Sequence, residues 1–351
     1  MKPHAWIATA LLLSPSLCLA ATACPDNESW QDSPGHISLR MDNDALGSAS
    51  QDHGYSNGLA LTLASPGLPG QADDACLPFF SRNINRYLQW AHPGDFEQQH
   101  AVLGITHGIY TPDDKTRSDL IEEDRPYAGV LLLGAGYNAR SGDRLQTSHL
   151  RLGMVGPSAK GQEVQNAVHR VIDVRRAQGW EHQLRDEPLL QVVHERLHRW
   201  QPGTSENADG WGWDVIGHAG GSLGNFATHA NTGAELRFGW RVPDDFGSNP
   251  LRPAGEHAGA RRGTTMPAGW SWHVFASLEA RAVLRDITLD GNTFKSSHSV
   301  DSKPLVADLG YGAVVQRGRW SMVLAQYQRS REFEGQLQPP SFGSLSMSWA
   351  F

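Results

Sequence analysis

The feature that most constrains this chain is an alternation of bulky with small or polar residues, period two, that recurs along its length. It is clearest at the end, where Leu345, Met347, Trp349 and Phe351 share one phase and Ser344, Ser346, Ser348 and Ala350 the other. Successive side chains of a strand point to opposite faces, so the pattern predicts a strand with one apolar face and one small, hydrophilic face. Trp270, Trp272, Val274, Ala276, Leu278, Ala280, Ala282 and Leu284 oppose Ser271, His273, Ser277, Glu279 and Arg281 in the same way. That run exceeds most soluble strands and is long enough to cross a bilayer at a tilt. Leu59, Leu61 and Leu63 alternate with Ser56, Gly58, Ala60 and Thr62, and Leu150, Leu152 and Met154 with His149, Arg151 and Gly153. Similar segments lie near 36–43, 100–110, 126–138, 187–201, 212–224, 231–242, 304–316 and 319–330, which makes about twelve strands.

An even number of such strands suits a closed antiparallel barrel, because closure alone satisfies sheet hydrogen bonds in lipid. The expected fold is therefore all-β, a twelve-stranded antiparallel transmembrane barrel occupying residues 24–351. Small residues on the inner phase suggest an interior filled by side chains, with no wide pore. Trp211, Trp213, Trp240, Trp270 and Trp320 fall at or near strand ends and suit interfacial girdles, with packing in a core or loop as the alternative for any one of them. After the N-terminal segment no apolar run approaches the length of a spanning helix, which excludes a helical membrane protein. The mean hydropathy of −0.43 would suit a soluble protein, but barrel strands average to mild polarity as well. An ordinary amphipathic strand in a soluble domain is the other reading of the last ten residues.

Residues 1–23 combine an early lysine, an apolar run broken by Ser14-Pro15-Ser16, and small residues at Ala20, Ala21 and Ala23, the pattern of a secretory signal peptide. A membrane anchor would be longer and would not contain Pro15, and lipid attachment at Cys24 lacks the leucine such sites carry. Export leaves Cys24 and Cys76 in a compartment where disulfides persist, so a bridge between them is expected ahead of a catalytic thiol. The net charge of −7 and the lack of a dense basic block argue against a nucleic-acid partner.

Two stretches carry chemistry. Asn43 and Asp44, followed by Ser56, put a carboxamide, a carboxylate and a hydroxyl beside two strands, a set that could hold a hard metal ion beside an ester. Residues 157–178 break the strand pattern: Gln162, Gln165, Asn166, His169 and Asp173 share a polar sector at helical spacing, and Val164, Val168 and Val171 another. Gln165 and His169, four apart, point the same way. In a barrel with a periplasmic N-terminus this short helix lies outside the cell. Each feature has a plainer reading: turn formers for Asn43 and Asp44, a small inner residue for Ser56, a surface or capping histidine for His169. Asp124-Arg125 reads as an ion pair or turn in the wall, and Asp52 as a metal contact or a loop solvator.

Asp42-Asn43-Asp44, Asp52 with Tyr55-Ser56-Asn57-Gly58-Leu59, Asp124-Arg125-Pro126-Tyr127-Ala128-Gly129, and Gly156-Pro157 with Gly161-Gln162-Glu163-Val164-Gln165-Asn166 and His169-Arg170 together resemble the LpxR family of outer-membrane lipid A 3′-O-deacylases. The similarity covers nearly the whole chain after the signal. It implies calcium-dependent hydrolysis of a lipopolysaccharide ester in the outer leaflet, similar in chemistry to secreted phospholipases A2, at a site between the outer wall and the extracellular helix. Asn43, Ser56 and His169 match the family's catalytic positions, with His169 as general base, and Asp44 would ligate Ca²⁺. Gln165 and Lys115 match positions that meet water or substrate. The chain departs from the family just after the helix, where Arg175 and Ala177 stand in place of a glutamate and a tyrosine, which leaves a second metal site open. A monomer among outer-membrane lipids is implied. The rivals are an outer-membrane phospholipase, whose recognisable signature is missing here, and a non-catalytic pore or scaffold, which has no need of all four site residues.

Overall fold

A computed structural model describes residues 34–44, 54–67, 82, 83, 86, 96–172, 176–201, 210–248 and 269–351. The signal peptide, Cys24 and Cys76 with their expected bridge, Asp52, Asp173 and Arg175 lie outside the described residues. Twelve antiparallel strands form a closed barrel: β1 (His36–Asn43), β2 (Gly54–Ala64), β3 (Gln98–Thr111), β4 (Ala128–Ser141), β5 (Arg144–Val155), β6 (Glu187–Trp200), β7 (Trp211–Gly224), β8 (Ala227–Trp240), β9 (Trp270–Asp286), β10 (Leu305–Arg317), β11 (Trp320–Arg329) and β12 (Ser341–Ala350). Each strand pairs with its neighbours in sequence, and β1 closes the ring on β12 in a register running from His36 opposite Ala350 to Asn43 opposite Gly343. A helix α1 (Gly161–Ile172) sits between β5 and β6, as expected. No described helix is long and apolar enough to cross a membrane.

The two phases of each strand separate as the alternation predicts. On β9, Leu278 and Leu284 are 59% and 84% exposed on the outer face, whereas Ser271 and His273 are buried inside. Ile37, Leu39 and Met41 of β1, Leu59, Leu61 and Leu63 of β2, and Leu103 and Ile105 of β3 likewise stand exposed on the outer wall. An apolar band facing outward is a liability in water and the requirement in lipid.

The tryptophans of the described strands form one girdle at a single end. Trp200 and Trp240 end their strands, Trp211, Trp270 and Trp320 begin theirs, and Trp213, Trp272 and Trp349 lie within two residues of a strand end. Because neighbouring strands run in opposite directions, all of these fall at the end where the Phe351 N–H donates to the Gly35 carbonyl at 2.9 Å. The Trp211 ring stacks on Phe238 at 5.3 Å and meets Trp272 edge-on at 5.1 Å. Among the described residues the opposite end carries Leu223, Leu284 and Leu305 on its outer face instead.

The interior corrects one expectation. It is filled, but by large charged and aromatic groups that pair with residues dipping in from connections, and small strand residues are the minor part. Near the tryptophan end, Asp214 accepts from Arg199 Nε at 2.7 Å and from Arg237 Nε at 2.8 Å, while Asp244 and Asp245, beyond β8, pair with Arg140, Arg199 and Arg237. At the other end Glu332, from the β11–β12 connection, sits between Arg125 Nη1 at 3.0 Å and Arg329 Nη1 at 3.1 Å. Arg125 therefore pairs across the lumen, and Asp124 accepts from the backbone N–H groups of Asp113 and Arg125. The sequence pattern of the strands could not reveal this, because half of each network is carried by connections. Burial pushes the Glu332 carboxyl up, and the two guanidiniums beside it more than offset that, holding it below the usual carboxylate range.

Candidate functional site

Asn43 is the last residue of β1 and shares the outer phase with Ile37, Leu39 and Met41, so its side chain emerges at the top of an otherwise apolar stripe. Opposite it on β2 stands Asn57, whose Oδ1 accepts from Asn43 Nδ2 at 2.5 Å; the same amide also donates to the Ser56 carbonyl at 3.3 Å. Asp44 follows and is 1% exposed, with Lys115 Nζ at 3.3 Å from its Oδ2.

Ser56 reaches this patch through a bulge. Strict alternation cannot place Tyr55 inside and Asn57 outside, yet the Tyr55 hydroxyl donates inward to Asp42 Oδ2 at 3.1 Å and Asn57 pairs with Asn43. The β2–β3 register resolves the conflict by skipping Ser56: Tyr55 faces Tyr110 and Asn57 faces Ile109. An extra residue of this kind re-aims its side chain. The Ser56 hydroxyl lies 2.5 Å from that of Thr111, the last residue of β3, and both residues are fully buried. The plainer reading of Ser56, as a small inner residue, fails on this geometry.

The cover is α1. Gly161, Gln165 and His169 are buried, Val164 and Val168 half-buried, and Gln162, Glu163 and Arg170 exposed. The expected polar sector thus divides, with Gln165 and His169 turned inward and Gln162 outward. This buried face is polar, the reverse of an ordinary surface helix. Two contacts seat it on β3 and β4. His107 Nε2 lies 2.8 Å from the Ala159 carbonyl, just before the helix. Gly161 meets Gly129 of β4 so closely that a Cβ added at Gly129 would come within 2.8 Å of both the Cα and the N of Gly161. Val164 packs with Ile109, Tyr127, Ala177 and Trp180, and Trp180 Nε1 donates to Gln165 Oε1 at 2.8 Å. The other end of that amide, Gln165 Nε2, is buried with no protein partner among the described residues. Lys115 is tied to the same layer, its carbonyl accepting from the Gln178 N–H at 2.8 Å.

Asn43, Asp44, Ser56 and Lys115 thus gather on the outer wall at the end opposite the tryptophan girdle, and Gln165 and His169 lie on the buried face of the helix that is seated on β3 and β4. Ala177, where the family departs, contributes to the apolar layer. The sequence reading left out Asn57, Thr111 and Trp180. Asn57 and Thr111 could have been found from their outer phase at strand ends beside Asn43 and Ser56, whereas nothing local marks Trp180.

The donors at the patch are carboxylate, amide, carbonyl and hydroxyl oxygens, the hard set that calcium takes. Among the described residues no three His, Cys, Asp or Glu side chains gather at one point. A cation on Asp44 would therefore complete its shell from neutral oxygens and water, and would share the carboxylate with the Lys115 ammonium.

Comparisons with known proteins agree with this architecture. The solved structure of LpxR from Salmonella typhimurium superposes with a TM-score of 0.69 at 19% identity, covering 90% of this chain and 100% of that one. The β domain of the Bordetella autotransporter BrkA scores 0.42 at 11% identity over 92% of this chain and 100% of that one, too low to carry an argument. No curated protein sequence matches. The family model described as outer membrane protein LpxR matches residues 6–351. Matched over nearly its whole length, the chain belongs to the LpxR family of outer-membrane barrels.

Proposed function

We propose that this barrel is a calcium-dependent lipid A 3′-O-deacylase, which hydrolyses the 3′-acyloxyacyl ester at the patch between its outer wall and α1. The observation that carries this reading is the buried polar face of α1, Gln165 and His169, on a helix seated on β3 and β4 at the same end of the outer wall as Asn43, Asp44, Ser56 and Thr111. A helix whose only task was to cover an apolar wall would turn its valines inward. The patch faces away from the lumen, so its substrate is one presented from the membrane.

In this mechanism His169 accepts a proton from water as the water oxygen attacks the ester carbonyl carbon. The tetrahedral intermediate collapses with cleavage of the bond to the sugar oxygen. His169 returns the proton to that oxygen, leaving a 3′-hydroxyl and a free acyloxyacyl acid. Gln165 Nε2, a buried donor without a protein partner among the described residues, would hold the water or the developing oxyanion. Ser56 is engaged with Thr111 and acts by positioning, not as an acyl nucleophile. Asp44 and Asn43 would hold calcium, which when bound supplies a Lewis acid at the carbonyl. Lys115 offers a cation for substrate phosphate once its contact with Asp44 is shared.

Mass spectrometry of lipid A from cells expressing the wild type, His169→Ala or Asp44→Ala tests this directly. Loss of the 3′-acyloxyacyl mass in wild type alone, abolished by a calcium chelator, is the expected result. Unchanged lipid A beside a correctly inserted wild-type barrel would refute the deacylase and favour a phospholipase or a non-catalytic barrel.

A further inference from the structure

A second feature of the outer wall lies far from this patch, at the tryptophan end. A groove of about 840 Å³ runs across the outer side of β5 to β8, bordered by Phe96 on one side and Trp200 on the other. Its volume falls in the range of small-molecule sites. Gly217, Ala219, Thr232 and Ala234 form its floor, so the wall is recessed here where neighbouring stretches carry Leu, Val and Trp. The Trp200 ring stands over Gly217, where an added Cβ would come within 2.7 Å of it, and His198 meets that ring edge-on at 4.4 Å.

The described lining of the groove is basic. Arg144, Arg196 and His198 line it together with Gln146, and among the described lining residues none is acidic. Arg144 opens β5 directly opposite His198, and Arg196 faces Gln146 two residues further in. The cations therefore stand at the level of the tryptophan girdle and just above it. An outward arginine on a barrel wall costs little near the interface and more with depth, and long cationic side chains reach toward headgroups to limit that cost. Two guanidiniums at headgroup level, beside a recess lined by small residues, match a phosphate with an acyl chain beneath it.

We propose that this groove binds an anionic phospholipid of the periplasmic leaflet, its phosphate on Arg144 and Arg196 and an acyl chain along Gly217, Ala219, Thr232 and Ala234. The test is native mass spectrometry of the full barrel, delipidated in detergent and titrated with phosphatidylglycerol or phosphatidylcholine of the same chains. Phosphatidylglycerol adducts should survive activation that strips phosphatidylcholine. They should fall at least fivefold in the double variant Arg144→Gln, Arg196→Gln, and stay unchanged in Arg317→Gln, a rim arginine on the far side of the girdle. Heat-dependent gel mobility reports folding. If the double variant does not fold, Thr232→Phe, which fills the floor and keeps both charges, decides by the same readout. Equal retention of the two lipids, or adducts indifferent to the variants that fold, would overturn the proposal. Lipid A adducts that respond to the same substitutions would overturn its assignment to the periplasmic leaflet.

Discussion

Gly129→Ala is the sharpest probe of how α1 is seated. The new Cβ would lie 2.8 Å from the backbone of Gly161, which is itself closely approached, since a Cβ added at Gly161 would come within 2.7 Å of the Trp180 ring and 2.8 Å of the Gly129 Cα. Carbon atoms in contact settle at about 3.5–4.0 Å, so the start of the helix must move outward by roughly 0.7–1.2 Å. That displacement carries Gln165 and His169 away from the wall. A misplacement of about 1 Å is worth roughly a hundredfold in rate, which is about 2.7 kcal/mol of activation free energy. The added methyl should also lower stability by about 1–3 kcal/mol, too little to unfold the barrel. The assay is deacylation of lipid A in detergent micelles, with folding scored by heat-dependent gel mobility. Gly134→Ala, on the same strand, is the control, because its Cβ would meet Arg151 Cγ at 3.5 Å, an ordinary contact. A folded Gly129→Ala enzyme with wild-type turnover would refute the claim that the glycine pair sets the position of the site.

Lys115→Met removes the ammonium that shares Asp44, so the calcium concentration giving half-maximal thermal stabilisation should fall; an unchanged or higher midpoint would show that the two cations do not compete. Ser56→Ala should reduce turnover by about tenfold, with no acyl-enzyme detectable in the wild type by intact-mass measurement, because the hydroxyl positions and does not attack; a trapped acyl-serine would overturn that role. Glu332 has a carboxyl held below its ordinary value, so its contribution to stability is complete above the unfolded value near 4.5 and is lost as pH falls through the lower folded value. Urea unfolding should therefore weaken below about pH 4.5, and Glu332→Gln should flatten that limb while lowering stability at neutral pH by about 3–5 kcal/mol.

The strands were legible because lipid on one side and a packed lumen on the other force a period-two pattern that no connection can disguise. The outer phases of β2, β9 and β12 could be assigned residue by residue. What escaped was whatever depends on an interruption of that period or on contacts between distant segments. Ser56 reads as an inner residue until the bulge adds one position between Tyr55 and Asn57. The inner face read as small because Asp244, Asp245 and Glu332 lie outside the strands they neutralise. Asn43, Asp44, Ser56 and His169 were singled out by their residue types and by resemblance to a family, whereas the inward turn of Gln165 and the part of Trp180 in holding it required the fold. The helix period alone could not say which sector would be buried, since both choices were amphipathic.

The one-sided tryptophan girdle gives the molecule a depth gauge. With the tryptophans of the described strands gathered at one boundary, that boundary becomes the datum from which height in the membrane is measured. Asn43 stands six residues above Ile37, which pairs with Trp349 of the girdle. At about 3.4 Å per residue and a tilt of about 40°, that is roughly 16 Å along the membrane normal. An apolar band is about 25 Å tall, so the patch opens roughly 9 Å below its upper edge, among the acyl chains. For the deacylase proposed above, selection among the ester bonds of a large glycolipid would then begin with a vertical coordinate set by strand length, before any sugar or phosphate is touched.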